Sequence, residues 1–193
     1  MAKLAETRIT GGDWRGRRIA TPRGLDVLRP TRGMVRQALF NILGGEVAGA
    51  RFLDLYAGAG SVGFEALSRG ASRVTFVDRG RESLRVIGVN ADSFGCRDRV
   101  ELVAADAVPW LRRRPTAAVE ADVCYVDAPY QDDEMLAALQ VLGDLAPPLI
   151  VCEHHRARPM PDTLGTMAAV RTAHYGLTDL TMYRPQDREK TNP

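Results

Sequence analysis

Apolar positions change their period along this chain, and each change marks an element. Val35, Ala38, Leu39, Ile42 and Leu43 recur at three- and four-residue steps. That spacing predicts a helix over 31–43, capped by Thr31, approached through the extended pair Arg29-Pro30 and stopped by Gly44-Gly45. From Arg51, short runs rich in β-branched residues alternate with helical patterns. Strands are expected at Arg51–Tyr56, Arg73–Val77, Val100–Ala104, Val123–Val126 and Leu149–Glu153, with helices near Ser61–Arg69, Arg81–Asp92, Ala107–Arg113 and Asp132–Leu142. Such alternation predicts an α/β fold, a parallel sheet covered on both faces. The period then returns to two: Met167–His174 and Leu177–Tyr183 flank Tyr175-Gly176 and predict an antiparallel hairpin at the sheet edge. At the other end, 8–28 reads as short strands punctuated by Gly11-Gly12 and Arg15-Gly16, a basic hairpin or arm lying outside the core. The expected organisation is an arm over 1–28, a main domain over 29–185 that includes the leading helix 31–43, and a polar tail over 186–193.

A chain of 193 residues can bury a sizeable core and needs no second large domain. No run of about 18 apolar residues is present, and Met1-Ala2-Lys3-Leu4-Ala5-Glu6-Thr7-Arg8 lacks the apolar centre of a signal peptide, so a cytoplasmic location is expected. Cys96, Cys124 and Cys152 are odd in number and widely spaced, which excludes a disulfide framework or zinc knuckle and predicts buried thiols in a reducing compartment. His154-His155 and His174 have poor ligand spacing, and no metal is expected. Charge changes the picture more. The whole chain carries +2, yet residues 1–36 hold Lys3, Arg8, Arg15, Arg17, Arg18, Arg23, Arg29, Arg32 and Arg36 against Glu6, Asp13 and Asp26. A basic N-terminal stretch on a mildly acidic body is the footprint of polyanion binding. Arg112-Arg113-Arg114 is read as a solvated helix end, where basic residues suit the helix dipole, in preference to a second RNA patch.

Candidate chemistry begins at Asp54-Leu55-Tyr56-Ala57-Gly58-Ala59-Gly60-Ser61-Val62-Gly63, a glycine-rich turn between a strand and a helix. It fits the dinucleotide fingerprint, with Asp78 twenty residues after Gly58 as the ribose-binding acid, so an NAD enzyme is a rival reading. Asp54 separates the two. A carboxylate there repels a pyrophosphate but suits the cationic sulfonium and amino-acid end of S-adenosylmethionine. Asp106 follows the third strand, placed either to accept from an adenine amino group or to cap the next helix. Carboxylates at three successive strand ends fit the crevice in which such sheets bind ligands. Tyr56, Arg79 and Ala107, next to these positions, complete the cofactor set with Gly58 and Gly60.

Asp127-Ala128-Pro129-Tyr130 follows the fourth strand. An Asp, a main-chain carbonyl and an aromatic face can hold a flat base and accept from its amino group. In this place the tetrad resembles the D/N-P-P-Y motif of amino-group methyltransferases. Together with Arg8–Arg17, Arg29-Pro30-Thr31, Val35–Leu43 and Phe52–Gly63, it resembles the bacterial 16S ribosomal RNA guanine-N2 methyltransferase family (RsmD-like) over residues 8 to about 183. The resemblance implies a Rossmann-like S-adenosylmethionine-dependent methyltransferase sheet, mostly parallel with an antiparallel C-terminal edge, plus a small N-terminal basic β-hairpin. It implies methyl transfer, without metal, to the exocyclic N2 of one guanine of 16S ribosomal RNA, in an assembling small subunit, by a monomer. Asp127 and the Ala128 carbonyl would accept the two amine hydrogens and Tyr130 would stack on the base. The family pattern has Pro where this chain has Ala128; Ala keeps the carbonyl, adds an N–H and frees φ. RNA contacts are expected from Arg8, Arg15, Arg17 and Arg18 on the arm, and from Arg29, Thr31 and Arg36 near the mouth of the site. Trp14 either stacks on a base or anchors the hairpin. Two other readings share these residues, an adenine-N6 methyltransferase and an RNA-binding assembly factor without catalysis.

Overall fold

The computed structural model describes residues 7–21, 30–128 and 133–186. Its strands are β1 (Arg51–Leu55), β2 (Arg73–Asp78), β3 (Val100–Ala104), β4 (Val123–Val126), β5 (Ile150–His155), β6 (Thr163–Leu164), β7 (Met167–Tyr175) and β8 (Thr178–Pro185). They form one eight-stranded sheet in the order β3-β2-β1-β4-β5-β8-β7-β6. β3, β2, β1, β4 and β5 are parallel, and β8, β7 and β6 extend the sheet antiparallel. The expected C-terminal hairpin is therefore present, inserted so that β8 and not β7 pairs with β5. β8 runs through Pro185, and Gln186 N–H donates to the Thr166 carbonyl; 187–193 lie outside the described residues.

Six helices are described: α1 (Pro30–Leu43), α2 (Ser61–Ser68), α3 (Arg81–Phe94), α4 (Ala107–Arg113), α5 (Pro115–Val119) and α6 (Glu134–Leu145). Alternate residues of each central strand point to opposite faces, giving two cores. Phe52, Val74, Phe76, Val123, Tyr125 and Val151 face α1–α3, while Leu53, Leu55, Val77, Cys124, Val126 and Ile150 face α4–α6. All three cysteines are buried in these layers. Main-chain bonds tie the starts of β1 and β4 together, since Asp122 N donates to the Arg51 carbonyl and Arg51 N donates to the Asp122 carboxylate.

The arm departs from expectation. Residues 7–21 do form an antiparallel hairpin, with Arg8 bridged to Arg18 and Ile19 N–H donating to the Thr7 carbonyl, but it does not stand free of the body. Ile9 and Ile19 are buried within the α1–α3 core, so this segment belongs to the core, contrary to the sequence reading. Glu65, fully buried on α2, explains the attachment. Its carboxylate accepts from Thr10 N and Thr10 Oγ1 of the arm, from Arg36 Nε of α1 and from Arg69 Nε one turn on. Asn90 on α3 completes the seam through paired bonds with Ala20. Residues 22–28, which the sequence reading assigned to the arm, lie outside the described residues.

Candidate active site

The strand order reverses between β1 and β4, which sends the following helices to opposite faces and leaves a crevice at the carboxyl ends of these two strands. The register pairs Asp54 with Tyr125 and Leu55 with Val126, so the glycine turn after β1 and Asp127-Ala128 after β4 leave the sheet side by side.

On the β1 side, Asp54 is almost wholly buried and its Oδ2 accepts the Gly63 N–H at 3.0 Å. Burial pushes its pKa up to about 8; the Gly63 bond opposes the shift and Asp78 adds to it. Gly60 holds a left-handed φ of 75°, and a Cβ there would lie 3.0 Å from Ile87, Phe64 and Phe76. A Cβ on Gly63 would come within 2.3 Å of Phe76, so glycine there lets α2 press onto β2. Asp78 braces the turn: its two carboxylate oxygens accept from Gly58 N–H at 2.8 Å and Gly80 N–H at 2.7 Å. Each oxygen keeps a further lone pair for a ligand hydroxyl. Tyr56 sits at φ 60°, rare for a residue with a side chain. Its hydroxyl is buried without a hydrogen-bond partner among the described residues. Burial, then Glu134, pushes that hydroxyl up to about 12; Arg79 opposes this and Asp106 adds to it. A strained residue carrying an orphaned polar atom at the mouth of a crevice fits a site completed by a ligand. Asp106 occupies the cap position of α4 without capping it; its main-chain carbonyl accepts Trp110 N–H and its carboxylate is exposed. Ala107 is buried beneath it.

On the β4 side, Asp127 is half-buried and Ala128 buried. Pro129 and Tyr130 lie outside the described residues. Asp127 and Asp54 share a neighbour that sequence reasoning missed. The buried Tyr125 hydroxyl donates to Glu153 Oε2 at 2.6 Å, and it is held well above its ordinary range by burial, then by the charges of Glu153, Asp127 and Asp54. The signal was an ionisable residue ending the otherwise apolar β5 run. Glu134 was missed too: at the start of α6 it faces the exposed Arg79 at 3.7 Å, joining the β2 side of the crevice to the β4 side.

The basic residues divide. Arg8, Arg15, Arg17 and Arg18 are exposed. Arg36 is not a surface group: it is 6% exposed, with Nε 3.2 Å from Glu65 and an Nη donating to the Arg8 carbonyl. The expected RNA contact from Arg36 is corrected accordingly, because its donors hold the arm to α1. Trp14 is an anchor, stacked on Phe94 at 4.7 Å. Arg29 and the side chain of Thr31 lie outside the description. His154 bonds Thr181 and His174 pairs with Asp179, so these two histidines tie β5, β8 and β7 together. A cavity of about 610 Å³ opens away from the crevice, on the α4–α5 face and toward the amino ends of β1 and β2.

The chain matches the family model described as conserved hypothetical protein 95 over residues 7–184. It is 30% identical to the candidate rRNA methyltransferase YlbH of Bacillus subtilis, covering 92% of this chain and 98% of that protein. It is 32% identical to ribosomal RNA small subunit methyltransferase D of Haemophilus influenzae, covering 80% of this chain and 75% of that one. The solved structure of the candidate methyltransferase yhhF from Escherichia coli superposes with a TM-score of 0.79 at 27% identity, covering 94% of this chain and 99% of that one.

Proposed function

We propose a reaction for this chain, which belongs to the conserved hypothetical protein 95 family of ribosomal RNA methyltransferases: it moves a methyl group from S-adenosylmethionine to the exocyclic N2 of a guanine in small-subunit ribosomal RNA. The observation that carries this reading is the placement of Asp54 and Asp127 on adjacent strands at the switch point, one carboxyl on each side of the crevice and both acting on Tyr125.

The residues fit the donor. Asp54 supplies the anionic partner for a cation, Asp78 and the turn at Gly58–Gly60 match a ribose, Asp106 accepts from an adenine amine, and the Tyr56 hydroxyl lacks, among the described residues, a partner that a ligand can provide. Bound S-adenosylmethionine supplies an already activated methyl group on sulfur. What remains for the protein is orientation. A guanine N2 lone pair is delocalised into the ring; Asp127 and the Ala128 carbonyl accept the amine hydrogens, turn the nitrogen toward the methyl group and localise its lone pair. Tyr130 stacks on the base, which must leave its own stack at a cost of a few kcal/mol, about the range for base flipping. Exposed Arg8, Arg15, Arg17 and Arg18 contact RNA phosphates. The buried Tyr125, paired with the half-buried Glu153, positions Asp127.

Incubation of the chain with tritiated S-adenosylmethionine and small subunits from cells lacking the enzyme, followed by nucleoside analysis, tests this. Label is expected in N2-methylguanosine. Asp127→Ala should lower kcat by ~100-fold or more while binding S-adenosylmethionine as before. Label in N6-methyladenosine would reassign the target base, and equal labelling by Asp127→Ala would remove Asp127 from the reaction.

A further inference from the structure

The end of the molecule farthest from the crevice carries, besides Arg17 of the arm, arginines that the reaction does not use. α3 starts just beyond Asp78, and its 14 residues run away from the crevice. At 1.5 Å per residue this is ~21 Å, which delivers Phe94 to the opposite pole of the sheet. The turn of the N-terminal arm is bolted there. Arg17 lies over the Phe94 ring at 4.4 Å, Phe94 stacks on Trp14 at 4.7 Å, and Arg99 covers Trp14 at 5.5 Å.

The same pole holds a row of arginines set by strand register. β1 begins with Arg51 and β2 with Arg73, and the two are direct partners. Arg99, in the 3-10 turn Arg97–Arg99 ahead of β3, lies at the same pole but turns its guanidinium to Trp14 on the α1–α3 face. Adjacent strands lie ~4.8 Å apart, so the Arg51 and Arg73 side chains start side by side. Arg51 and Arg73 then lean into the 610 Å³ cavity, which Arg114, at the end of α4, enters from the helical side. Its walls include Thr75, Trp110 and Glu120. Two glutamates temper the charge: Glu120 lies 3.3 Å from Arg51, and Glu101 accepts from Thr75 Oγ1.

We propose that this pole is a second RNA-binding surface, in which Arg51, Arg73, Arg99 and Arg114, with Arg17 of the arm, take the phosphate backbone of the substrate about one helix length from the reacting base. This rests on the RNA reading above. Arginine suits the task because its planar fork binds phosphate through paired donors, and a row of them follows a backbone without reading sequence. Arg114 is thus a phosphate ligand and not only a solvated helix end. Two separated contacts also fix the direction in which RNA crosses the enzyme, so that one base is presented to Asp127.

The test measures binding by the full chain. Fluorescence anisotropy follows labelled 16S ribosomal RNA fragments and, as a sequence-neutral probe, poly(U), over a series of salt concentrations. Arg73→Glu with Arg114→Glu should weaken both about tenfold or more and flatten the plot of log K against log salt by ~1.5, since each lost phosphate contact removes ~0.7–0.9 from the slope. The milder pair Arg73→Gln with Arg114→Gln should fall between. Glu101→Gln with Glu120→Gln should tighten binding, an effect that mere structural damage does not produce. Arg171→Glu on β7, at the other side of the sheet, set against Arg73→Glu alone, is the control for net charge. On assembled subunits the charge-reversed pair should raise KM and leave kcat and cofactor affinity unchanged. Equal affinities and slopes for the wild type and the charge-reversed pair, or an equal loss from Arg171→Glu, would overturn the proposal even if N2-methylguanosine forms. Binding that is lost in the pair when no RNA is labelled would uphold the surface and fail the reaction.

Discussion

Asp54 shows how one residue couples fold and ligand. Its folded carboxyl holds a proton to about pH 8, while the unfolded one loses it near 3.8. Between those values the unfolded state binds fewer protons than the folded one, so this group weakens the fold as pH rises through the window and adds nothing further above it. Asp54→Asn keeps an acceptor for Gly63 N–H and removes the titration. Urea midpoints at about pH 5 and about pH 8.5 should therefore show the variant gaining on the wild type at the higher pH, by on the order of a few kcal/mol. S-adenosylmethionine binding should weaken roughly ten- to hundredfold in the variant, because the cation loses its counter-charge. Calorimetry in buffers of different ionisation enthalpy should also show the wild type releasing a proton on binding near neutral pH, and the variant releasing none. The strand-end position of Asp54 was legible in sequence; its neutral resting state was not, because desolvation depends on the α2 packing that Gly63 permits.

Among the elements, the arm is the one whose reading changed most. Alternation and charge pointed to a basic appendage, yet Ile9, Ile19 and Trp14 are packed and Glu65 ties the arm, α1 and α2 into one unit. Glu65→Ala leaves the buried Arg36 without its carboxylate, and removal of one partner of such a pair costs roughly 3–5 kcal/mol. Chemical denaturation should report that loss, and limited proteolysis should cut within residues 7–21 at a concentration of protease that spares the wild type. Intact resistance in a folded Glu65→Ala would show that apolar packing alone holds the arm. The short elements escaped sequence reading for a simple reason. α5 has five residues and β6 two, too few to express a period.

For the whole molecule, a ligand that binds only the folded state adds stability by mass action. S-adenosylhomocysteine at about a hundredfold its Kd should add ~2.7 kcal/mol and raise Tm by roughly 5–10 °C for a chain of this size, whereas NADH should leave Tm unchanged. The reverse result would restore the dinucleotide reading of the glycine turn. Among the described residues no helix is long and apolar enough to cross a membrane. The chain's linear pattern determined the alternation of strands and helices, the glycine turn, the strand-end carboxyls and the Asp127 loop, because periodicity and turn chemistry are local properties. Only the tertiary structure decided which arginine is buried and which is exposed, that Tyr125 and Glu153 underlie the site, and that the arm's turn lies at the pole opposite Asp127. Those outcomes depend on strand order and register, which join residues far apart in sequence, and no local pattern encodes that pairing.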